Sequence, residues 1–110
     1  MLQDILNALK VIKILESEDF LTYDLVIKRV CEVARDRCGI EVSESDITEA
    51  ARGVERISSL RMAAYYILRN RFELRYEKIA LMSKRRTHAT IMSGIKRIEG
   101  HLEQYRDQIG

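Results

Sequence analysis

The sequence contains no proline and no tryptophan, and its 110 residues include only five glycines. Because proline breaks helices and glycine weakens them, their scarcity leaves long helices uninterrupted. Aromatic residues make up only 6% of the chain, and β-strands generally use more of them. Charged residues interrupt every long apolar run, so we find neither a transmembrane span nor a secretory signal. With 46% hydrophobic residues available for a core, these absences predict a small all-α protein.

Residues that could support catalysis or bind a metal are also few. Cys31 and Cys38 are seven residues apart, which does not match a CxxC metal or redox pair. His88 and His101 have no third ligand at a useful spacing, and no glycine-rich phosphate-binding motif is present. We therefore expect a protein that is not an enzyme and uses no cofactor or metal, with the reduced thiols typical of the cytoplasm.

Charge is distributed unevenly along the chain, although the net charge is only +2. Residues 1–50 contain six Lys/Arg and eleven Asp/Glu, whereas residues 51–110 contain thirteen Lys/Arg and six Asp/Glu. An excess of seven positive charges in one half is typical of a protein that meets a polyanion with one face. A solvated surface whose charges are merely uneven would give the same counts.

Apolar spacing and capping residues predict several helices before residue 60. The first is an amphipathic helix over residues 2–17, and the second ends where Gly39 can adopt a left-handed conformation. The predicted helix starts after the first are Thr22, Ser43 or Ser45, and Ser58 or Ser59. No linker or repeat divides the chain, so we treat residues 1–20 as an N-terminal helix and 21–110 as one domain.

Residues 76–99 have the pattern of a helix-turn-helix. A short helix is predicted from Tyr76 to Met82, followed by a polar, basic turn over residues 83–86. Thr87 is predicted to cap the last helix. The apolar positions of this helix are Ile91, Ile95, Ile98 and Leu102. In a helix-turn-helix, the second helix enters the DNA major groove and contacts bases mainly with its N-terminal residues.

The segment from Arg85 to Ile91 has chemistry suited to DNA. Two guanidinium groups precede a helix start, and the first turn then carries the short polar side chains of Thr87, His88 and Thr90. A helix N-terminus also attracts phosphate through its free N–H groups and partial positive charge. An ordinary capped helix beside a basic loop is the competing interpretation.

This segment resembles the recognition helix of a known family, the C-terminal DNA-binding domain of the bacterial replication initiator DnaA. Arg86-Thr87-His88-Ala89-Thr90-Ile91 is similar to the family's R-D-H-[ST]-T-V signature. After the signature, Ile95-Lys96-Arg97-Ile98-Glu99 resembles the family's apolar-basic-basic-Ile-Glu ending. Before it, Ile79-Ala80 resembles the family's Ile-Gly pair. Further upstream, Arg61-x-x-Ala64-x-Tyr66-Ile67-Leu68-Arg69 resembles the family's R-x-x-A-x-Y-L-L-R helix. With a small insertion before Arg61, the resemblance covers about residues 23–103. It implies a Trp-repressor-like helix-turn-helix fold and sequence-specific binding to double-stranded DNA.

The sequence also departs from that family. Thr87 stands where the family has an Asp that bonds to a base, and Ala89 replaces its first Thr. The family's basic loop S-K-R-R is Glu49-Ala50-Ala51-Arg52 here, which leaves one Arg for a minor groove. The family's nucleotide-binding module would precede this domain, and it is not in this sequence. We therefore expect a free-standing DNA binder whose target differs from the family's origin sequence.

The resemblance and the local chemistry together assign roles to individual residues. The predicted base contacts are Arg86, Thr87, His88, Thr90 and Arg52. The predicted phosphate contacts are Arg61, Lys78, Lys84, Arg85, Lys96 and Arg97.

Two alternatives stay open at this stage. The chain could be a small helical protein-interaction module, with a homodimer or a partner docked on the apolar stripe of the first helix. It could also be a transcriptional regulator unrelated to replication. Neither alternative requires a membrane.

Overall fold

A computed structural model describes residues 2–49, 55–84 and 87–109 of the chain. In these ranges the regular secondary structure is helical, and there is no strand. The α-helices are α1 (Leu2–Glu16), α2 (Val26–Cys38), α3 (Glu44–Thr48), α4 (Glu55–Asn70), α5 (Tyr76–Met82) and α6 (His88–Ile109). A short 3₁₀ helix, Tyr23–Leu25, precedes α2. The predicted all-α class is therefore confirmed. Within the described ranges, no helix is both long and apolar enough to span a membrane.

Helix α1 contributes to the same hydrophobic core as the rest of the chain. Its buried side chains, Ala8, Leu9, Val11, Ile12 and Leu15, pack against α2, α4 and α6. Arg71, just after α4, donates hydrogen bonds to the Leu15 and Glu18 carbonyl oxygens at the end of α1. The apolar stripe of the first helix is thus used to close the core.

Helix α2 ends as its sequence predicts but begins later. Gly39 adopts a left-handed φ of 68°, and the backbone N–H of Ile40 donates to the Ala34 carbonyl at 3.1 Å. This is a Schellman-type ending, in which Ile40 returns to the core. The predicted Thr22 cap of α2 is wrong, because a 3₁₀ turn intervenes and the Thr22 hydroxyl bonds to the Asp24 carboxylate instead.

Helix α4 lies at the centre of the packing and contacts all five other α-helices. It is already helical at Glu55, so the predicted start at Ser58 or Ser59 was placed too late. Its fully enclosed side chains are Leu60, Ala63, Ala64, Tyr65, Ile67 and Leu68. Helix α6 approaches α4 closely at Gly94, where an added Cβ would lie 3.2 Å from both Met62 Cγ and Tyr65 Cδ2.

The short helix α5 is followed by a turn at Ser83 and Lys84, and then by the long helix α6. The boundaries of α5 match the predicted Tyr76–Met82, and α6 begins directly after Thr87. In α6, Ile91, Ile95 and Ile98 are buried, whereas Leu102 is only half-buried. The core side of α6 therefore fixes which of its residues face outward.

His101 of α6 is half-buried and stacks on Tyr105, with ring centroids 6.2 Å apart. Its Nε2 atom is buried without a hydrogen-bond partner among the described residues. Burial and then the positive charge of Arg97 lower its pKa from 6.5, against an opposing effect from Glu55. Protonating this ring in the folded state is therefore unfavourable.

This lowered pKa predicts a pH-dependent stability. At about pH 8 the ring is neutral in both the folded and the unfolded state, so its contribution to stability is complete. As the pH falls below that value, the unfolded state takes up the proton first and the free energy of unfolding declines. We expect His101→Phe, which retains an aromatic ring, to show a smaller decline than the native protein in urea titrations at about pH 8 and about pH 5. His88→Gln, at an exposed histidine, is the control, and an equal decline in all three proteins would contradict the prediction.

Candidate nucleic-acid interface

The N-terminus of α6 presents a cluster of exposed polar side chains. Thr87, His88 and Thr90 are all exposed. The backbone N–H of Thr90 lies 3.4 Å from Thr87 Oγ1, and the two threonine hydroxyl oxygens are 3.1 Å apart. This contact supports the predicted capping role of Thr87. Because positions two apart on a helix point to different sides, His88 and Thr90 present a broad rather than a single narrow contact surface.

Ser83 and Lys84 form a turn at the end of α5. Ser83 is completely buried, and its hydroxyl donates to the Ile79 carbonyl at 2.7 Å. Lys84 follows in a left-handed conformation with φ of 53°, which is uncommon for a residue with a side chain. Its backbone N–H donates to the Leu81 carbonyl at 3.3 Å. The predicted contacts Arg85 and Arg86 lie outside the described residues, as does Arg52.

The predicted phosphate contacts Lys78 and Lys84 share one groove between α3, α5 and the 3₁₀ helix. Lys84 Nζ lies 3.4 Å from Glu49 Oε1, and both side chains are exposed. Lys78 Nζ lies 5.7 Å from the centroid of the Tyr23 ring. The groove also contains three carboxylates, from Asp24, Glu44 and Glu49. These lysines are therefore exposed cations in a groove of mixed charge.

The predicted contacts Lys96 and Arg97 fall on opposite sides of α6. Arg97 lines a groove of about 320 Å³ between α4 and α6. Lys96 lines a separate groove with Arg69, Glu73 and Glu99. Glu73 and Glu99 line the groove of Lys96 and weaken its positive potential, whereas on the other side Arg97 interacts with the carboxylate of Glu55 at the start of α4. The two neighbours in sequence thus occupy different electrostatic surroundings.

The α4–α6 groove contains polar residues that sequence reasoning missed. Ser58 and Ser93 line it together with Thr90 and Arg97, above the close helix contact at Gly94. Hydroxyl groups commonly contact DNA phosphates without reading sequence. Ser93 lies three residues after Thr90 and four before Arg97, so helical spacing could have indicated it. Nothing in the sequence could have placed Ser58 there, because it belongs to another helix.

Arg61 has surroundings unlike those of the other predicted phosphate contacts. Its side chain is buried, with only 8% of the residue exposed. Its Nε donates to the Ile47 carbonyl at 2.7 Å, and its NH2 donates to the Asp46 carbonyl at 2.8 Å. These bonds attach α3 to α4 and satisfy the free carbonyl oxygens of a short helix. This geometry gives Arg61 a structural role, although its side chain also lines the groove between α4 and α6, and the predicted phosphate contact stays a prediction.

The two cysteines and the potential metal ligands are the remaining groups of chemical interest in the described part of the chain. Cys31 is buried, and burial followed by nearby carboxylates raises its pKa to about 11, so it is a neutral thiol at pH 7. Cys38 is half-buried, and burial likewise raises its pKa. Residues 2–49, 55–84 and 87–109 contain no group of three or more His, Cys, Asp or Glu side chains arranged to hold a metal ion.

Comparisons with known proteins found no matching family model, no matching curated protein and no matching solved structure.

The position of Arg61 predicts its effect on stability. Arg61→Met would retain most of the aliphatic stem but leave the two α3 carbonyl oxygens without these donors. We expect a loss of about 2–4 kcal/mol in the free energy of unfolding, measured by urea titration. Arg56→Met, at an exposed position of the same helix, should change it by less than about 0.5 kcal/mol. Equal stability of the two variants would contradict the structural role.

Proposed function

We propose that this protein binds double-stranded DNA in a sequence-directed manner, with α5 and α6 acting as a helix-turn-helix. The observation that carries the proposal is the exposed polar N-terminus of α6, which follows the short helix α5 and the turn at Ser83 and Lys84. Helix α6 has 22 residues, about 33 Å, which is ample to lie in a major groove. Its apolar side is anchored in the core, so its outer side is available to a ligand.

The sequence resemblance supports the same function. The similarity to the DNA-binding domain of DnaA includes His88 and Thr90 at the start of α6, and Arg86 and Arg52 outside the described residues. In this proposal His88, Thr90 and Arg86 contact base edges, Thr87 caps the helix beside them, and Arg52 reaches a minor groove. The target sequence need not be that of the family, since Thr87 and Ala89 replace two of its base-contacting residues.

Phosphate contacts are proposed on both sides of the recognition surface. Arg97, Ser93 and Ser58 lie on the α4 side, and Lys78 and Lys84 lie on the α5 side. Arg85, which follows Lys84 in the sequence, is also a proposed phosphate contact. Lys96, Lys78 and Lys84 are each assigned a smaller part than Arg97, because carboxylates line their grooves. Arg61 is left out because its guanidinium holds α3.

The competing proposal, a protein-interaction module, was based on the apolar stripe of α1. In the apolar stripe that a partner would cover, Leu9, Ile12 and Leu15 are buried, and Ile5 and Leu6 are half-buried against the core. Among the large apolar side chains of α1, the exposed one is Leu2 at the start of the helix. Single exposed apolar residues are common on protein surfaces and do not indicate a binding site.

Selection of bound sequences from random duplexes tests the proposed function. We expect enrichment of one site, followed by affinity that falls steeply with salt. Each neutralised phosphate contributes about 0.9 to the slope of log affinity against log salt. Fluorescence anisotropy at several salt concentrations measures this slope. Absence of duplex binding at low salt would exclude the proposal, and binding without enrichment would exclude sequence-directed recognition.

The assigned contacts also predict different effects of substitution. His88→Ala should weaken binding to the selected site by about 1–3 kcal/mol and to random DNA much less, because His88 reads bases. Arg97→Met should weaken both about equally and reduce the salt slope, because Arg97 contacts phosphate. Lys96→Met removes the same charge beside two carboxylates and should have a smaller effect.

The same anisotropy titrations measure all three variants, with circular dichroism to confirm folding. Equal losses on selected and random DNA for His88→Ala would show that His88 does not read sequence. Equal effects of Lys96→Met and Arg97→Met would contradict the smaller contribution to DNA binding that we assign to Lys96.

A further inference from the structure

One predicted phosphate contact is already engaged by an acidic residue of the same chain. Lys84 Nζ lies 3.4 Å from Glu49 Oε1, which joins the turn before α6 to the C-terminus of α3. The backbone on both sides is held in place. The Glu49 N–H donates to the Ser45 carbonyl at 2.8 Å, and Lys84 follows the buried Ser83 in a left-handed conformation.

Glu49 is adjacent to one proposed contact in the structure and close to another in the sequence. It lies three residues before Arg52, the proposed minor-groove contact, and its ion pair reaches the turn that leads to the recognition helix. Asp24 and Glu44 line the same groove, so Lys84 and Lys78 face several carboxylates there. When a DNA phosphate approaches Lys84, the positive charge of this lysine is therefore already paired with the carboxylate of Glu49.

We propose that Glu49 competes with the DNA backbone for Lys84 and thereby limits the affinity of the interface for any duplex. This inference rests on the proposed DNA-binding function. Both side chains are more than half exposed, so the ion pair is weak and DNA can displace it. Because the competing contact is to phosphate and not to a base, it lowers specific and non-specific binding together. Glu49 is thus an affinity-determining residue, while sequence discrimination remains with α6.

Removing the negative charge of Glu49 tests this role. Glu49→Gln retains the shape of the side chain but releases Lys84 to a phosphate. We expect binding to become about two- to fivefold tighter on both the selected duplex and random duplex DNA. The slope of log affinity against log salt should steepen by less than about 0.9, since less than one additional phosphate is neutralised.

A double-mutant cycle separates the ion pair from the general effect of charge. Lys84→Met removes the cation with a side chain of similar length and keeps a non-glycine residue in the left-handed turn. In that background Glu49→Gln should lose most of its gain. Glu41→Gln, at an exposed position outside the groove, makes the same change in net charge and is the control. Anisotropy titrations on the full chain measure each variant.

Each outcome decides the question. A gain for Glu49→Gln that exceeds that of Glu41→Gln and depends on Lys84 supports the proposal. Equal effects of the two glutamine variants, or the same gain with and without Lys84, would overturn it while leaving DNA binding intact. If the unaltered protein binds no duplex at low salt, the proposed function fails and this inference fails with it.

Discussion

The burial of α4 is the constraint on which the rest of the structure depends. This helix contacts all the other α-helices, and its apolar residues are enclosed around most of its circumference. Such enclosure requires neighbours that approach closely, which explains Ala63 and Ala64 on α4 and Gly94 on α6. Interiors packed in this way tolerate little change in volume. The position of α6 relative to the core is therefore set by α4.

Helix α6 combines a core element with the proposed interface. Its buried isoleucines recur at helical spacing and fix its rotation about its own axis. That rotation exposes the first turn and directs Arg97 and Lys96 into separate grooves. A recognition element built on a rigid, anchored helix can present side chains in a constant geometry. Packing and proposed recognition are thus two sides of one helix.

Several arginines of the basic half stabilise the fold instead of forming a surface. Arg61 donates to α3 carbonyls, and Arg71 donates to the end of α1. Arg69 donates to the Leu74 carbonyl at 3.0 Å and lies 4.5 Å from the Tyr76 ring centroid. The excess of seven positive charges in residues 51–110 therefore overstates the charge available to a polyanion. Charge counting cannot detect this, because an arginine bonded to backbone carbonyls has the same formal charge as an exposed one.

Periodicity and capping chemistry were sufficient to predict the all-α class, the left-handed Gly39 and the boundaries of α5, and they limited the cap of α3 to Ser43 or Ser45, of which the structure shows Ser43. These features depend on residues close together in the chain, so local sequence determines them. Only the tertiary structure decided that Arg61 is buried, that Ser58 faces α6, that Glu49 meets Lys84 and that Lys96 and Arg97 separate. Each of these depends on which helices lie side by side, and that arrangement follows from packing between residues distant in sequence.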